Sequence, residues 1–457
     1  MQNIILDFFS YNHRVILNLG DRLEQSLTAR DSQILRLVSE EAERLQLPLY
    51  MVGGLPRDLV LGLGHSDFDL VVEGSAISLA QALRARHSGH VTVHRRFGTA
   101  KWNVAGIGAA SAGSGELPAR YRSAGLDLIS ARTETYPRPA HLPQVHPGTI
   151  EDDLRRRDFT INALAIRLDG AQFGQVVDPV DAIGDIQRRE IHVLHEGSFL
   201  DDPTRMYRAI RYEQRLGFKI GAETLRLMVE AQRHVKALSA HRVRNELDQT
   251  LRETGAPAMI KRLSKLGLLR AIHVALPADA ASLRRLASQD ANPAWAEGAS
   301  GLRRDTGRMW MLWLMSLAPA QIRSVRQRLE FDNRLMEELL ACSRLRGSLR
   351  RLVRLRPSTM TRHLEGLPVL AVETVAGTLP EGRPRRRLVE YLGNWRNLRP
   401  HASGKDLRAL GIPPGSEYRA ILEKLRAAWI DGTVRSEAEE GVLLQRLVRR
   451  RIPRLSR

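Results

Sequence analysis

Cysteine is nearly absent from this chain, since Cys342 is the only one in 457 residues. A single thiol excludes an intramolecular disulfide and a cysteine-based zinc site, and it fits a reducing intracellular compartment. No apolar run approaches the roughly 20 residues that a membrane-spanning helix needs. The N-terminal segment mixes apolar and polar residues without a clear cleavage site, so we do not interpret it as a signal peptide. These absences predict a cytoplasmic protein.

Acidic residues are few relative to basic ones, with 51 Asp and Glu against 70 Lys and Arg and a formal net charge of +19. This balance favours a polyanionic partner, and nucleic acid fits better than a membrane because no basic amphipathic anchor stands out. A GC-rich genome that prefers arginine would also raise the count, but it does not explain local clusters.

Two arginine clusters lie in the C-terminal half of the chain. The clusters are Arg344, Arg346, Arg350, Arg351, Arg354 and Arg356, then Arg383, Arg385, Arg386 and Arg387. Each can form a phosphate-contact surface, and a solvated helix face is the alternative that the sequence leaves open. Our candidates for RNA binding are Arg344, Arg346, Arg350, Arg351, Arg385 and Arg386.

The segment 51–74 predicts a strand, a glycine turn, a short helix and a second strand. The turn at Gly53 and Gly54 precedes the helix, so it can offer backbone N–H groups and a positive helix end to a phosphate chain. Asp67 and Asp69 lie two apart in the second strand and therefore point to the same face. Adjacent carboxylates favour a cation between them, and Mg²⁺ prefers such oxygen ligands. The pattern indicates nucleotidyl or phosphoryl transfer.

The compound pattern GG-x-x-RD, short helix, D-x-D resembles the nucleotidyltransferase domain of the DNA polymerase beta superfamily. More closely, it is similar to the class II CCA-adding tRNA nucleotidyltransferases and their bacterial poly(A) polymerase relatives, with Pro56 where the family usually has Val. The resemblance implies that two Mg²⁺ ions bridge Asp67, Asp69 and the nucleotide triphosphate. It also places Arg57 and the two glycines in the nucleotide site.

A third carboxylate, Asp127, stands among apolar neighbours in the predicted strand 126–129. A carboxylate in such surroundings is costly unless it has a partner. In the superfamily an acidic residue on a neighbouring strand supports the metal pair, so the resemblance makes Asp127 a candidate catalytic residue. A strand-edge aspartate that faces water is the alternative.

The segment 131–148 contains four prolines, which predict an extended mobile loop rather than a helix or a central strand. In the CCA-adding family the matching segment is a flexible loop tied to addition of the terminal A. Its presence argues against an enzyme restricted to CC addition.

The stretch TIEDDLRRRDFTINALA, residues 149–165, opens with a helix-start pattern and resembles the family motif RRDFTxNA. The resemblance assigns contact with the nucleotide phosphates or sugar to Arg157. Asp158 and Asn162 lie four residues apart on one predicted helical face. The resemblance takes them as groups that position the ribose.

The stretch 198–218 predicts a helix capped by Asp202, with Pro203 at its first position. Four side chains at spacings of three project from nearly one face of this helix. They are Asp202, Arg205, Arg208 and Arg211. Such a row can hold a triphosphate and examine a base.

The pair Asp202 and Arg205 can read a base without a nucleic-acid template. A carboxylate accepts from cytosine N4 or adenine N6, and an arginine donates to cytosine N3 or adenine N1. Uracil and guanine would leave buried groups unpaired. The segment resembles the family motif EDxxR, with Asp201 in the place of the usual Glu.

Together the motifs and the resemblance predict an α/β nucleotidyltransferase head, a mixed sheet with flanking helices, followed by all-α neck, body and tail domains. The predicted segments are a leader at 1–30, the head at 31–170, the neck at 171–255, the body at 256–380 and an RNA-binding tail at 381–457. The tail holds a second resemblance, to the family signature GxDL…LG-x-x-PG, at Gly404–Gly415.

The expected reaction is addition of C, C and A to the tRNA 3′ end from CTP and ATP, with Mg²⁺ as cofactor and no obligate protein partner. A CC-only or A-only enzyme or a poly(A) polymerase shares these motifs. A catalytically silent RNA-binding protein is the alternative from another class.

Overall fold

This computed structural model describes residues 17–63, 69–103, 125–137, 143–291 and 305–449. The chain divides into two compact units, Met1–Leu238 and Ser239–Arg457. The division falls inside the segment predicted as the neck, and the five-part domain scheme stays a prediction. None of the described helices is long and apolar enough to cross a bilayer.

The first unit is organised around a seven-stranded sheet. In chain order its strands and those of two small ribbons are β1 Leu49–Val52, β2 Asp69–Val72, β3 His90–His94, β4 Thr99–Asn103, β5 Gly125–Ser130, β6 Arg132–Thr135, β7 Gln144–Pro147, β8 Ala165–Arg167, β9 Val176–Val177, β10 Glu190–Ile191 and β11 Lys219–Ile220. The sheet has the order β3-β4-β5-β2-β1-β8-β9. Strands β2 and β5 run parallel and the other neighbours antiparallel, which confirms the predicted mixed sheet.

Helices flank this sheet. They are α1 Gly20–Ser26, α2 Ala29–Arg44, α3 Gly54–Leu61, α4 Ala76–His87, α5 Ile150–Arg155, α6 Ala182–Arg188, α7 Ser198–Asp201, α8 Arg205–Leu216 and α9 Ala222–Ala231. Because neighbouring strand residues point to opposite faces, β1 contributes to two cores. Met51 packs with residues of α2 and α4, whereas Val52 packs with Ile150 and Leu154 of α5.

The sequence predicted only a loop for the proline-rich segment 131–148, but the structure also contains paired strands there. Strands β6 and β7 pair as an antiparallel ribbon, and residues 138–142 between them lie outside the described residues. Pro147 ends β7, in a two-stranded ribbon whose outer edges need no ladder hydrogen bond. Proline is tolerated at such an edge, so the rule that excludes it from central strands does not exclude this ribbon.

The second unit, where the structure describes it, contains helices and turns without a strand, as predicted for the body and tail. The segment 171–255, predicted as an all-α neck, instead includes the short strands β9, β10 and β11. The helices of the second unit are α10 Ala240–Arg252, α11 Ala256–Lys265, α12 Leu268–Ile272, α13 Ala280–Ala291, α14 Thr306–Leu314, α15 Pro319–Leu329, α16 Asn333–Leu352, α17 Pro357–Leu364, α18 Val369–Gly377, α19 Arg383–Glu390, α20 Gly404–Ala409, α21 Ser416–Ile430 and α22 Glu437–Arg449. Buried aromatic rings join α14 to its neighbours, with the Trp310 and Phe331 centroids 4.9 Å apart.

Candidate active site

The glycine turn between β1 and α3 meets the start of β2. Gly53 has a φ of 85°, a left-handed conformation that glycine adopts without a steric penalty. A Cβ atom at Gly53 would lie 3.3 Å from Oδ2 of Asp69 and 3.9 Å from Nη1 of Arg157. Gly54 begins α3 directly after the turn. The turn therefore brings residues of the first two motifs against a carboxylate predicted to bind metal.

Replacing Gly53 by alanine should lower nucleotide incorporation about tenfold, because the methyl group strains a left-handed backbone and crowds Asp69. Gly432 provides a matched control. It also has positive φ, 71°, but a Cβ there meets no described atom within 4 Å. Initial rates and thermal melting of both variants check the prediction. An equal loss of rate in Gly432→Ala would show that crowding at Asp69 is not the cause.

Asp69 and Asp127 lie side by side in the sheet. Leu70 pairs with Leu128 in the parallel register of β2 and β5, so the residues just before them are neighbours on one face. Both aspartates are exposed, and Oδ2 of Asp127 lies 3.5 Å from Nζ of Lys101. Asp127 is in a central strand, so it is not an edge residue, although its side chain does face water.

These carboxylates fit a divalent cation, since two adjacent oxygen donors of like charge favour a hard cation between them. Asp67, the other predicted ligand, lies outside the described residues. Within the described ranges no three His, Cys, Asp or Glu side chains form a group that could hold a metal. The metal assignment of Asp67 and Asp69 stays a prediction.

Asp158 is a buried carboxylate that links the three sequence motifs. Its Oδ1 accepts hydrogen bonds from the Phe159 N–H at 3.0 Å and from Nδ2 of Asn162 at 3.1 Å. Its Oδ2 lies 2.7 Å from Nη2 of Arg208 in α8. Oδ1 of Asn162 accepts from Nη1 of Arg57 in α3 at 2.6 Å. A continuous series of polar contacts therefore joins α3, the RRDFTIN segment and α8.

The prediction that Asp158 and Asn162 lie on one face of a helix is wrong. Helix α5 ends at Arg155, and Thr160–Asn162 form a short 3₁₀ turn. The Asp158 side chain bonds to the backbone N–H of the next residue, a local hydrogen bond that competes with helix formation. The two side chains still meet, because Asn162 reaches back across the turn to Asp158.

Arg57 lies beneath the site rather than on its surface, with 2% of the residue exposed. Besides Asn162 it contacts Asp58, whose Oδ1 accepts from Nε at 2.8 Å and from Nη2 at 2.7 Å. The Arg57 guanidinium also lies 5.5 Å from the ring centroid of Tyr212 in α8. Arg57 therefore supports the turn from inside, and its predicted nucleotide contact stays a prediction.

Arg157 is held by a residue that the sequence analysis missed. Asp153 is fully buried and accepts from Nη2 of Arg156 at 2.5 Å and from Nη2 of Arg157 at 3.0 Å. Its spacing of three and four residues from the two arginines was the available signal. Arg156 also contacts Glu134 of the β6–β7 ribbon at 2.9 Å. Asp153 therefore fixes Arg157 while Nη1 of Arg157 remains next to the Gly53 turn.

The helix of the third motif begins later than predicted, at Arg205. The Asp202 side chain does not cap this helix; it accepts from the N–H and Oγ1 of Thr204, at 2.8 Å and 2.6 Å. Residues 202–206 form i to i+3 hydrogen bonds, so the chain enters the helix through a tight turn. Asp202 therefore stabilises the entrance to α8.

The predicted arginine row of α8 is not a solvated stripe. Arg205 is 5% exposed, and its guanidinium donates from Nη1 to Oγ of Ser198 at 2.5 Å and from Nη2 to the Arg156 carbonyl at 3.0 Å. Arg208 pairs with Asp158, and Arg211 is half-buried. Their predicted nucleotide contacts stay predictions.

The predicted RNA-binding arginines lie in the second unit. Four of them lie within α16 and are exposed: Arg344, Arg346, Arg350 and Arg351. In α19, Arg386 is exposed and Arg385 pairs with Glu381. Arg387 of the second cluster is buried instead and donates to the carbonyls of Val353 and Leu355 at 2.7 Å and 2.8 Å, so it stabilises the end of α16.

The mixed sheet, the glycine turn and the carboxylates of β2 and β5 define a nucleotidyltransferase head. Comparison with protein-family models agrees with this assignment of the head. Residues 49–192 match the poly A polymerase head domain, and residues 217–278 match the probable RNA and SrmB-binding site of polymerase A. The chain therefore contains the head domain and the RNA-binding region that these poly A polymerase family models describe.

Two relatives match nearly the whole chain. The A-adding tRNA nucleotidyltransferase of Geobacter sulfurreducens is 34% identical over 91% of this chain and 47% of its own length. The A-adding tRNA nucleotidyltransferase of Halalkalibacterium halodurans is 29% identical over 92% of this chain and 94% of its own. This chain therefore spans about half the length of the first relative and nearly all of the second.

Among solved structures, a CCA-adding enzyme in an apo form superposes with a TM-score of 0.76 at 27% identity. The match covers 93% of this chain and 97% of that one. The likeness therefore extends over both units and confirms the predicted fold class.

Proposed function

We propose that this protein is a template-independent tRNA nucleotidyltransferase that transfers AMP from ATP to a tRNA ending in CC and releases pyrophosphate. The main support is the polar network around Asp158, which joins the glycine-turn helix, the RRDFTIN segment and α8, while the glycine turn itself lies next to Asp69. The net charge of +19 suits a polyanionic substrate such as tRNA.

The names of two relatives support addition of the terminal A, since the Geobacter sulfurreducens and Halalkalibacterium halodurans proteins described above are A-adding enzymes and each matches more than nine tenths of this chain. Full addition of C, C and A, the reaction expected from the sequence, is the second candidate. It is supported by the likeness to a CCA-adding enzyme and by a base-reading pair that suits both cytosine and adenine.

In this proposal Asp67 and Asp69 would hold Mg²⁺, with Asp127 supporting the pair, and the ion would stabilise charge on the departing pyrophosphate and favour ionisation of the attacking hydroxyl. The N–H groups at the start of α3 receive the triphosphate. Arg157, fixed by Asp153, adds positive charge beside the same turn. Asp202 and Arg205 contact the base edge. A cytoplasmic location, which the single cysteine favours, completes the proposal.

Replacing Arg205 by alanine should relax the choice of base, because the guanidinium that donates to adenine N1 or cytosine N3 is lost. We expect the ratio of ATP to GTP incorporation to fall at least tenfold, as expected for losing a hydrogen bond that involves a charged group. Arg226→Ala is the control, since Arg226 belongs to an exposed ion-pair cluster on α9 with Glu223 and Glu230. An unchanged ratio in Arg205→Ala would contradict the base-reading role.

One gel distinguishes the candidate reactions. The protein is incubated with Mg²⁺, with ATP, CTP or both, and with tRNA ending before CCA, after C or after CC, or with oligo(A). One addition on the CC-ended tRNA alone supports the A-adding enzyme, and three additions to the shortest tRNA support full CCA addition. Arrest at CC identifies a CC-adding enzyme, and long tails on oligo(A) identify a poly(A) polymerase. Absence of product with every primer would favour the silent RNA-binding protein.

A further inference from the structure

Ser198 contacts both residues of the base-reading pair. Its Oγ accepts from Nη1 of Arg205 at 2.5 Å, and its carbonyl accepts from the Asp202 N–H at 3.2 Å. Ser198 begins α7 and is fully buried, and its own N–H donates to the His195 carbonyl at 3.1 Å. The EDxxR resemblance does not include this position.

The contacts of Arg205 leave its planar guanidinium little freedom to rotate. Ser198 holds one terminal nitrogen, and the Arg156 carbonyl holds the other at 3.0 Å. A guanidinium carries five N–H donors in a rigid fork, so two fixed bonds also fix the directions of the remaining three. Because a buried hydrogen-bonding site selects its partner by direction, the orientation of this fork decides which base edges fit.

We propose that Ser198 is a specificity-determining positioning residue: its hydroxyl aims Arg205, and its carbonyl holds the backbone of Asp202, so that the pair accepts a base edge with an exocyclic amine next to a ring-nitrogen acceptor, as adenine and cytosine have. This inference rests on the proposed function. The Ser198 hydroxyl touches no substrate and acts through Arg205.

The test is Ser198→Ala, which removes the hydroxyl and keeps the carbonyl. With a CC-ended tRNA, we expect the ratio of kcat/KM for ATP to that for GTP to fall about tenfold or more, the usual effect of a lost hydrogen bond to a charged group. A role in packing alone would lower the melting temperature without changing this ratio. A wild-type ratio in Ser198→Ala would overturn the proposal.

Ser316 offers a matched control. Its Oγ accepts from Nη2 of the buried Arg285 at 2.9 Å, and Nε of Arg285 donates to the Leu312 carbonyl at 3.0 Å. Ser316→Ala therefore removes the same kind of contact away from the base-reading pair, and its ratio should equal that of the wild type. An equal fall in both variants would overturn the proposal.

Folding and function are separated in the same experiment. If Ser198→Ala does not fold, Ser198→Cys keeps nearly the same size with a weak acceptor, and its ratio must also fall. If the wild-type protein forms no product, the proposed function fails. If the wild type is active and selective but the Ser198 variants are equally selective, only the present inference fails.

Discussion

Asp69→Ala should abolish nucleotide incorporation while tRNA binding survives. Asp69 stands at the start of β2, beside Asp127 and against the Gly53 turn, and the proposed function requires its carboxylate to hold a cation there. A metal ion supplies several kcal/mol of charge stabilisation in the transition state, which corresponds to a loss of roughly a thousandfold or more. Single-turnover rates on CC-ended tRNA measure this loss.

Two further measurements make the result specific to the metal. Gel-shift titration with tRNA should give the wild-type affinity, because the predicted RNA contacts lie in the second unit. Binding of Mn²⁺ in the presence of a non-hydrolysable ATP analogue should be weakened in the variant. Retained turnover in Asp69→Ala, or unchanged Mn²⁺ binding, would contradict the metal assignment.

Asp158→Ala should lower the free energy of unfolding by about 3 kcal/mol, within the usual range for breaking a buried ion pair. The variant leaves Arg208 without its carboxylate and removes the acceptor of the Phe159 N–H and of Asn162. We expect the lower end of that range because the Arg208 side chain is 39% exposed and regains water. Denaturant unfolding measures the change, and Glu223→Ala, which breaks an exposed pair on α9, should leave stability unaltered.

The Asp158 carboxylate should also make the free energy of unfolding depend on pH. Burial alone would raise the pKa of Asp158, but the Arg208 guanidinium and the hydrogen bond from Asn162 outweigh it and hold the pKa below its ordinary value. A lowered folded-state pKa gives stability that is present above the unfolded value, about 3.9, and is lost as the pH falls towards the folded value. Asp158→Asn should therefore lose less stability than wild type below about pH 4. If the free energy of unfolding fell equally in both proteins as the pH was lowered, this prediction would be contradicted.

The sequence predicted well where one motif is enough to place an element. The strand and turn before α3 follow from local patterns of apolar residues and glycine, whereas the approach of Arg157 to Gly53 was expected only through the resemblance, which assigned both to the nucleotide site. The parallel pairing that sets Asp127 beside Asp69 was expected only through the resemblance, because strand register depends on the whole sheet.

Prediction from the sequence was wrong where side chains form hydrogen bonds with backbone groups that a helix would otherwise use. Local hydrogen bonds of Asp158 and Asp202 replace the helical turns predicted there, and their strength relative to a helix depends on burial, which a pattern of letters does not show. The sequence also did not predict that Arg208 in α8 pairs with Asp158. A row of arginines spaced by three indicates an exposed face, and only packing shows that Arg205 is buried and Arg208 paired.

The Asp158 network also has a consequence for how the protein is made. Arg57 and Asn162 are separated by 105 residues, and Arg208 comes later still. A growing chain leaves the ribosome from its N-terminus, so the glycine turn and the first carboxylates emerge long before α8. Until α8 emerges, Asp158 lacks the cation that compensates its burial. The Asp158 network can therefore assemble only after α8 has been translated.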